Sequence, residues 1–303
     1  MLGFLLLAAT LSGCATVADR PAGTSSAWLG DNSAKTWQAE RSDRGLVLVL
    51  PGSWGDTPAD NGIIQGLLRS GVDARIELDD WTAGHWTLRP LLIPYNVRAL
   101  GRNQQQGRRI AEKILAYQTQ YPGRPVHLIG YSGGAAVAVL ALEALPEHAK
   151  VTGAVLLAPS LACTYDLRPA LQRTERGIKN FYSPLDIPVL AVLCTAVGTS
   201  DGKHIVPAGA VGFLDAPSGA ARSPGEPALE QQCYRPSMLA RGHAGGHFGW
   251  VGKFFVADRV APLVKSEPQF ASLGESEHPA VAGLATEQAA PVRIVDAAAN
   301  ARR

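Results

Sequence analysis

Short, unbroken runs of apolar residues constrain the fold of this chain more than any other feature of its sequence. The clearest run, residues 45–50, ends at Pro51 and Gly52. A run without polar alternation is typical of a strand buried on both faces of a parallel sheet, because neither of its sides meets water. Further strands are predicted at 73–78, 125–130 and 151–157.

Helical segments alternate with these strands. Residues 102–121 carry apolar side chains at helical spacing, including Ile110 and Ile114. Residues 133–145 form the next predicted helix. This alternation predicts an α/β fold with a mostly parallel central sheet and helices on both faces. We place this domain at residues 45–265.

The pattern G-x-S-x-G occurs twice, around Ser132 and around Ser200. Ser132 stands between a predicted strand and the helix that starts at Gly133, which is the turn that presents a nucleophilic serine. The helix N-terminus adds positive dipole character and free N–H groups beside the hydroxyl. Pro207 and Gly209 argue against a comparable helix after Ser200. Ser132 is therefore the candidate nucleophile, and we interpret the second match as incidental.

The strand, the Ser132 turn and the Ala-rich helix resemble the α/β-hydrolase superfamily across most of the predicted domain. The resemblance implies a catalytic serine, acid and histidine in that chain order. It also implies an oxyanion hole built from the N–H of Gly133 and one from the loop after an earlier strand, with Ser53 or Trp54 as donor. Pro51 stands where the superfamily often has histidine, but a backbone donor does not depend on that side chain.

Two candidate histidines, His243 and His247, lie in a glycine-rich loop ahead of an amphipathic segment at 251–264. The superfamily's catalytic histidine typically occupies a loop after the last strand and before the last helix. His247, flanked by Gly245 and Gly246, fits this description best. His243 is the alternative.

Two aspartates compete for the role of the acid. Asp186 follows a predicted strand at 178–183, in a segment that resembles the strand-end acid of lipase-like hydrolases. Asp201 would instead follow a strand that begins at 187–193. A strand reaching Asp201 would exceed the usual length of roughly five or six residues. We therefore favour Asp186 and keep Asp201 as the alternative.

These residues predict a serine hydrolase that cleaves an ester or related acyl bond through a Ser-His-Asp triad and an acyl-enzyme intermediate. The chemistry needs no metal and no cofactor, and its partner is a small acyl or ester substrate. Acyl transfer to an acceptor other than water, and a non-catalytic binding module of the cell envelope, are the alternatives. The formal net charge of +2 gives no reason to expect a nucleic-acid partner.

The chain begins with a short apolar segment, residues 1–13, followed by Cys14. The segment is too short to span a bilayer and matches the hydrophobic region of a signal peptide. Leu11-Ser12-Gly13-Cys14 resembles the lipobox of bacterial lipoproteins, so Cys14 is the expected lipid-attachment site. We therefore expect a protein of the bacterial envelope that is lipid-anchored to a membrane and faces the periplasm. Ala15 favours the outer membrane.

Two flanking segments are predicted to lie outside the folded domain. Residues 14–44 are polar and resemble a tether, and residues 266–303 are Ala-rich without sustained periodicity, which predicts disorder. The remaining cysteines have neither the Cys-x-x-Cys spacing nor the neighbouring histidines of a zinc site. The sequence does not choose a disulfide among Cys163, Cys194 and Cys233.

Overall fold

A computed structural model describes residues 34–84, 89–186, 190, 192–214 and 227–265. The predicted signal peptide at 1–13, Cys14 and the tail at 266–303 lie outside the described residues. Within the described ranges, no helix combines the length and the hydropathy needed to cross a membrane.

In the described part of the chain the sheet has seven strands, numbered along the chain. They are β1 (Ala34–Trp37), β2 (Leu46–Leu50), β3 (Arg75–Asp79), β4 (Val126–Tyr131), β5 (Gly153–Leu157), β6 (Ile178–Tyr182) and β7 (Leu229–Cys233). Their spatial order is β1-β3-β2-β4-β5-β6-β7. Only β1 and β3 pair antiparallel, and all other neighbours are parallel. The carboxyl ends of the parallel strands therefore meet at one edge of the sheet, where α/β proteins gather their sites.

Helices cover both faces of the sheet. They are α1 (Asn61–Arg69), α2 (Arg89–Arg98), α3 (Leu100–Gln120), α4 (Gly133–Ala144), α5 (Arg168–Leu171), α6 (Val192–Val197), α7 (Ala208–Val211), α8 (Lys253–Phe255) and α9 (Ala261–Val264). Alternate residues of β2 enter opposite core layers. Leu48 belongs to the layer that contains Ile110 of α3, whereas Val49 belongs to the layer that contains Ile63 of α1 and Phe255 of α8.

The predicted fold class is confirmed. Strands β2, β3, β4 and β5 begin and end within two residues of the apolar runs that predicted them, and so do helices α3 and α4. Strands β2 and β5 are buried throughout and consist of apolar or small residues. Strand β4 is equally buried but includes His127, and β3 buries Glu77 and Asp79, whose carboxylates pair with Arg109 and Lys113 of α3.

The folded domain begins before residue 45, which corrects the predicted boundary of the tether at 14–44. Residues 34–44 contain β1 and a 3₁₀ helix, Ala39–Arg41, and β1 pairs with β3 so that Lys35 lies opposite Leu78. Most of β1 is exposed, so it lacks the apolar pattern that marked the inner strands. Residues 14–33 lie outside the described part of the chain.

The two strands considered for the acid have different outcomes. The strand predicted at 178–183 is present as β6. The competing prediction of a strand at 187–193 is wrong at its C-terminal end, because Val192 and Leu193 belong to helix α6. Residues 187–189 and 191 lie outside the described residues. The chain reaches Asp201 through a helix rather than through a strand of the sheet.

Candidate active site

Ser132 occupies the turn between β4 and α4 with φ 54° and ψ −116°. Positive φ is rare for a residue other than glycine because the Cβ atom crowds the backbone, and such strain costs about 1–3 kcal/mol. The Ser132 N–H donates a 2.8 Å hydrogen bond to the Leu157 carbonyl at the end of β5. The side chain is 9% exposed. The sharp strand-to-helix turn predicted around Ser132 is therefore present.

Glycines allow β4 and α4 to pack closely enough for this turn. A Cβ atom at Gly130 would lie 2.5 Å from the Cα of Ala135. A Cβ atom at Gly134 would overlap the carbonyl oxygens of Leu50 and Pro51. Any larger residue would push the helix away from the strand and open the turn.

His247 begins a 3₁₀ helix, His247–Val251, and its ring faces the nucleophile. Its Nε2 atom lies 3.1 Å from Ser132 Oγ. The Tyr131 hydroxyl donates a 3.3 Å hydrogen bond to the main-chain oxygen of His247, and the two ring centroids are 5.0 Å apart. The residue before the serine therefore also holds the histidine in place.

Asp186 ends a 3₁₀ turn, Pro184–Asp186, just after β6. Its Oδ2 atom lies 2.6 Å from His247 Nδ1, whose N–H donates to the carboxylate. The residue is 1% exposed. Burial raises the pKa of Asp186 above its ordinary value, and the hydrogen bond and charge of His247 oppose that rise. The buried carboxylate therefore depends on the imidazole for its stabilisation.

Asp201 and Ser200 lie on a loop with other partners. Asp201 Oδ1 accepts a 2.8 Å hydrogen bond from the N–H of Ala162, and Oδ2 lies 3.8 Å from Lys203 Nζ. The Ser200 hydroxyl is buried 2.6 Å from Ser160 Oγ. The helix that follows, α7, is a single turn after Pro207 and not the long helix of a nucleophile turn. The structure brings Asp186, and not Asp201, to His247.

His243 is fully buried in the loop that leads to His247. Its Nδ1 accepts a 2.9 Å hydrogen bond from the N–H of Gly245. Its ring meets Trp250 edge to face, with centroids 4.0 Å apart. Burial lowers the pKa of His243 to about 4, so the ring is neutral near pH 7. These contacts assign His243 to shaping the loop.

The predicted oxyanion donors lie beside Ser132. Gly133 is the first residue of α4, so its N–H has no acceptor within the helix. A Cβ atom at Gly52 would be 3.7 Å from Ser132 Cβ, which puts the loop after β2 next to the nucleophile. Among the described residues, no backbone hydrogen bond uses the N–H of Ser53 or Trp54.

Buried side chains fix the carbonyl groups of this loop. Trp81 Nε1 donates a 2.7 Å hydrogen bond to the Pro51 oxygen. Asn96 Nδ2 donates a 3.0 Å hydrogen bond to the Ser53 oxygen. Both side chains are completely buried. Because the peptide group is planar and trans, a fixed carbonyl also fixes the N–H on its opposite side.

A buried carboxylate completes the support of the loop. Asp60 accepts hydrogen bonds from the N–H groups of Gly52, at 3.3 Å, and Thr57, at 3.2 Å. Burial raises the pKa of Asp60 to about 6. Sequence reasoning missed the roles of Asp60, Trp81 and Asn96, because their contacts span 8, 30 and 43 positions and end on backbone atoms. No residue pattern marks such contacts.

Exposed apolar side chains directly adjoin Ser53, Asp186 and His247 in the sequence. Trp54 is 44% exposed, Leu185 is 57% exposed and Phe248 is 54% exposed. Leu185 directly precedes Asp186, and Phe248 directly follows His247. The loop after β2 and the segments that bear Asp186 and His247 therefore each present an apolar side chain to solvent, whereas the neighbours of Ser132 are buried. Within the described residues, no group of three or more His, Cys, Asp or Glu side chains is placed to hold a metal ion.

The fold and the site together define a class. A seven-stranded, mostly parallel sheet with helices on both faces, and a serine at positive φ between a strand and a helix, constitute the α/β-hydrolase fold. This chain has that fold. Ser132, Asp186 and His247 also follow the order serine, acid, histidine along the chain.

No protein-family model and no curated protein sequence matches the chain. Similar solved structures include MGS-M1, an α/β hydrolase from a deep-sea metagenome library (14% identity, TM-score 0.34, 69% of this chain and 72% of that chain). Another is the Bacillus licheniformis lipase BlEst2 (12% identity, TM-score 0.44, 78% of this chain and 100% of that chain). A third is LpqC, a poly(3-hydroxybutyrate) depolymerase from Bordetella parapertussis (16% identity, TM-score 0.42, 76% of this chain and 82% of that chain). Both the sequence identities and the TM-scores of these structures are low. The strand order of the sheet and the Ser132 turn therefore establish the fold.

Proposed function

We propose that this protein is a serine hydrolase that cleaves an ester or a related acyl bond. The observation that carries the proposal is the unbroken hydrogen-bond path from Asp186 through His247 to Ser132, with distances of 2.6 and 3.1 Å. Such a path allows a weakly nucleophilic hydroxyl to give up its proton as it attacks. The strained backbone of Ser132 adds support, because strain of this kind concentrates at functional sites.

In the first half of the proposed reaction, Ser132 Oγ forms a bond to the carbonyl carbon while its proton passes to Nε2 of His247. The π electron pair of the carbonyl moves onto its oxygen and gives a tetrahedral oxyanion. Asp186 holds the imidazole in the required tautomer and stabilises the imidazolium. The N–H of Gly133 and an N–H of the loop after β2 donate to the oxyanion.

Collapse of this intermediate breaks the bond to the leaving group, which takes the proton from His247 and departs. The acyl group remains on Ser132 as an ester. Water then attacks the acyl carbon and gives a proton to His247, and a second collapse releases the acid and returns the proton to Ser132. Transfer of the acyl group to an alcohol or amine would differ only in this second acceptor.

Labelling with a fluorophosphonate tests the proposal without knowledge of the natural substrate. The probe should react with the natural protein and not with Ser132→Ala, and hydrolysis of a p-nitrophenyl ester should fall on the order of 10⁴-fold in that variant. Ser200→Ala is the matched control, because it removes the other G-x-S-x-G serine, and it should label normally. A folded natural protein that does not label, or a Ser132→Ala variant that does, would contradict the proposal.

We also propose that the protein is anchored in the bacterial envelope through a lipid on Cys14. The support is the lipobox-like run Leu11-Ser12-Gly13-Cys14. Lipoproteins of this kind carry more than one acyl chain, and a single chain binds a membrane only marginally.

A further inference from the structure

We propose that the side-chain hydroxyl of Ser53 is an additional donor to the oxyanion, beside the backbone N–H groups. The inference rests on the proposed function and adds a catalytic residue to it. Ser53 is 7% exposed, and its Oγ atom is buried without a hydrogen-bond partner among the described residues. A buried hydroxyl without a partner destabilises a fold, and a ligand oxygen would supply that partner.

The hydroxyl lies against the first residue of α4. A Cβ atom on Gly133 would overlap Ser53 Oγ and would come 3.0 Å from the ring of Trp81. The absence of a side chain at Gly133 therefore makes room for the hydroxyl. Ser53 Oγ therefore lies beside Gly133, the residue whose N–H is a proposed oxyanion donor.

The backbone that carries the hydroxyl is held in position. Asn96 donates to the carbonyl of Ser53, and the N–H of the preceding residue, Gly52, donates to the Asp60 carboxylate. The O–H bond itself remains free to rotate toward an acceptor. The loop therefore presents the hydroxyl at a fixed place with one adjustable hydrogen.

The Ser53 hydroxyl should stabilise the transition state because negative charge develops on the substrate oxygen there. A hydrogen bond to an anionic oxygen is roughly twice as strong as one to a neutral carbonyl, so the donor acts on the transition state more than on the bound ester. The proton stays on Ser53 throughout, and no bond to Ser53 forms or breaks. Loss of the hydroxyl should therefore lower kcat and leave KM nearly unchanged.

The test compares Ser53→Ala with Ser200→Ala in the full protein, using p-nitrophenyl ester kinetics, the rate of fluorophosphonate labelling and Tm. Ser53→Ala should lower kcat about 10²- to 10³-fold and slow labelling, while Tm stays the same or rises because no hydrogen bond is lost. Ser200→Ala removes a paired buried hydroxyl, so it should keep kcat and lower Tm by roughly 2–4 °C. Ser53→Thr keeps a hydroxyl and should retain most of the turnover.

Gly133→Ala provides a second, independent perturbation, because its methyl group would displace the Ser53 hydroxyl. It should lose activity, and Ser53→Ala should then cost little more in the double variant. An active natural protein with unchanged kcat in Ser53→Ala would overturn the Ser53 inference and leave the proposed function standing. A Tm loss in Ser53→Ala as large as in Ser200→Ala would assign Ser53 a structural role and overturn it too. A natural protein that does not label would overturn both.

Discussion

Replacing His243 by asparagine should remove most of the acid sensitivity that this side chain gives to folding. His243 is buried and neutral with a pKa of about 4, against an ordinary value of 6.5. Between these values the unfolded chain binds a proton that the folded protein does not. Stability is therefore complete above pH 6.5 and is lost as the pH falls toward 4. The loss amounts to about 2 kcal/mol at pH 5 and about 3 kcal/mol at pH 4.

Asparagine keeps an acceptor for the Gly245 N–H but does not titrate. Its smaller side chain should cost stability equally at every pH, so the free-energy difference between the two proteins should narrow by about 2 kcal/mol from pH 7 to pH 5. His127, whose pKa burial also lowers to about 4, is present in both proteins and cancels. Urea unfolding followed by tryptophan fluorescence at pH 7, 6 and 5 measures the difference. A difference that stays constant with pH would refute the reasoning.

The remaining predictions concern the acid and the anchor. Asp186→Asn should lower kcat/KM for a p-nitrophenyl ester on the order of 10³–10⁴-fold by favouring the wrong tautomer of His247. Asp201→Asn should have a mild effect, because asparagine keeps an oxygen that accepts from the Ala162 N–H and loses only the charge that faces Lys203. Equal losses in the two variants would contradict the assignment of the acid. Mass spectrometry of the mature protein from native cells should find acyl chains on Cys14, and a soluble full-length product without them would disprove the anchor.

The inner strands of the sheet were predictable because their burial produces a local pattern of apolar residues in the sequence. Strands β2, β4 and β5 are buried along their length, and apart from His127 of β4 they consist of apolar, aromatic or small residues. The edge strand β1 is largely exposed and the edge strand β7 is half-buried to exposed, and their sequences, Ala-Lys-Thr-Trp and Leu-Glu-Gln-Gln-Cys, contain no such run. Their place in the sheet depends on pairing with distant segments, which composition and periodicity do not encode.

The same division applies to the site. The Ser132 turn was predictable because its requirements are local: a strand before it, and glycines that admit a helix after it. The segments that bear His247 and Asp186 were chosen from chain order, and that order did not decide between Asp186 and Asp201. The sequence contains no pattern that predicts the supports of the loop after β2, since among the described residues the Asn96 side chain bonds only to backbone atoms, those of Ala83 and Ser53, and Ser53 is 43 positions away.

The residues of the site come from separate strand ends, and Ser132 and His247 are 115 positions apart in the chain. Trp54, Leu185 and Phe248 stand on these same segments, but their apolar surfaces face solvent. Loops on a rigid scaffold tolerate substitution and insertion better than the strands that carry them. Evolution can therefore exchange the side chains that a substrate would meet first while the buried hydrogen bonds stay intact, so that substrate range and chemistry can diverge independently.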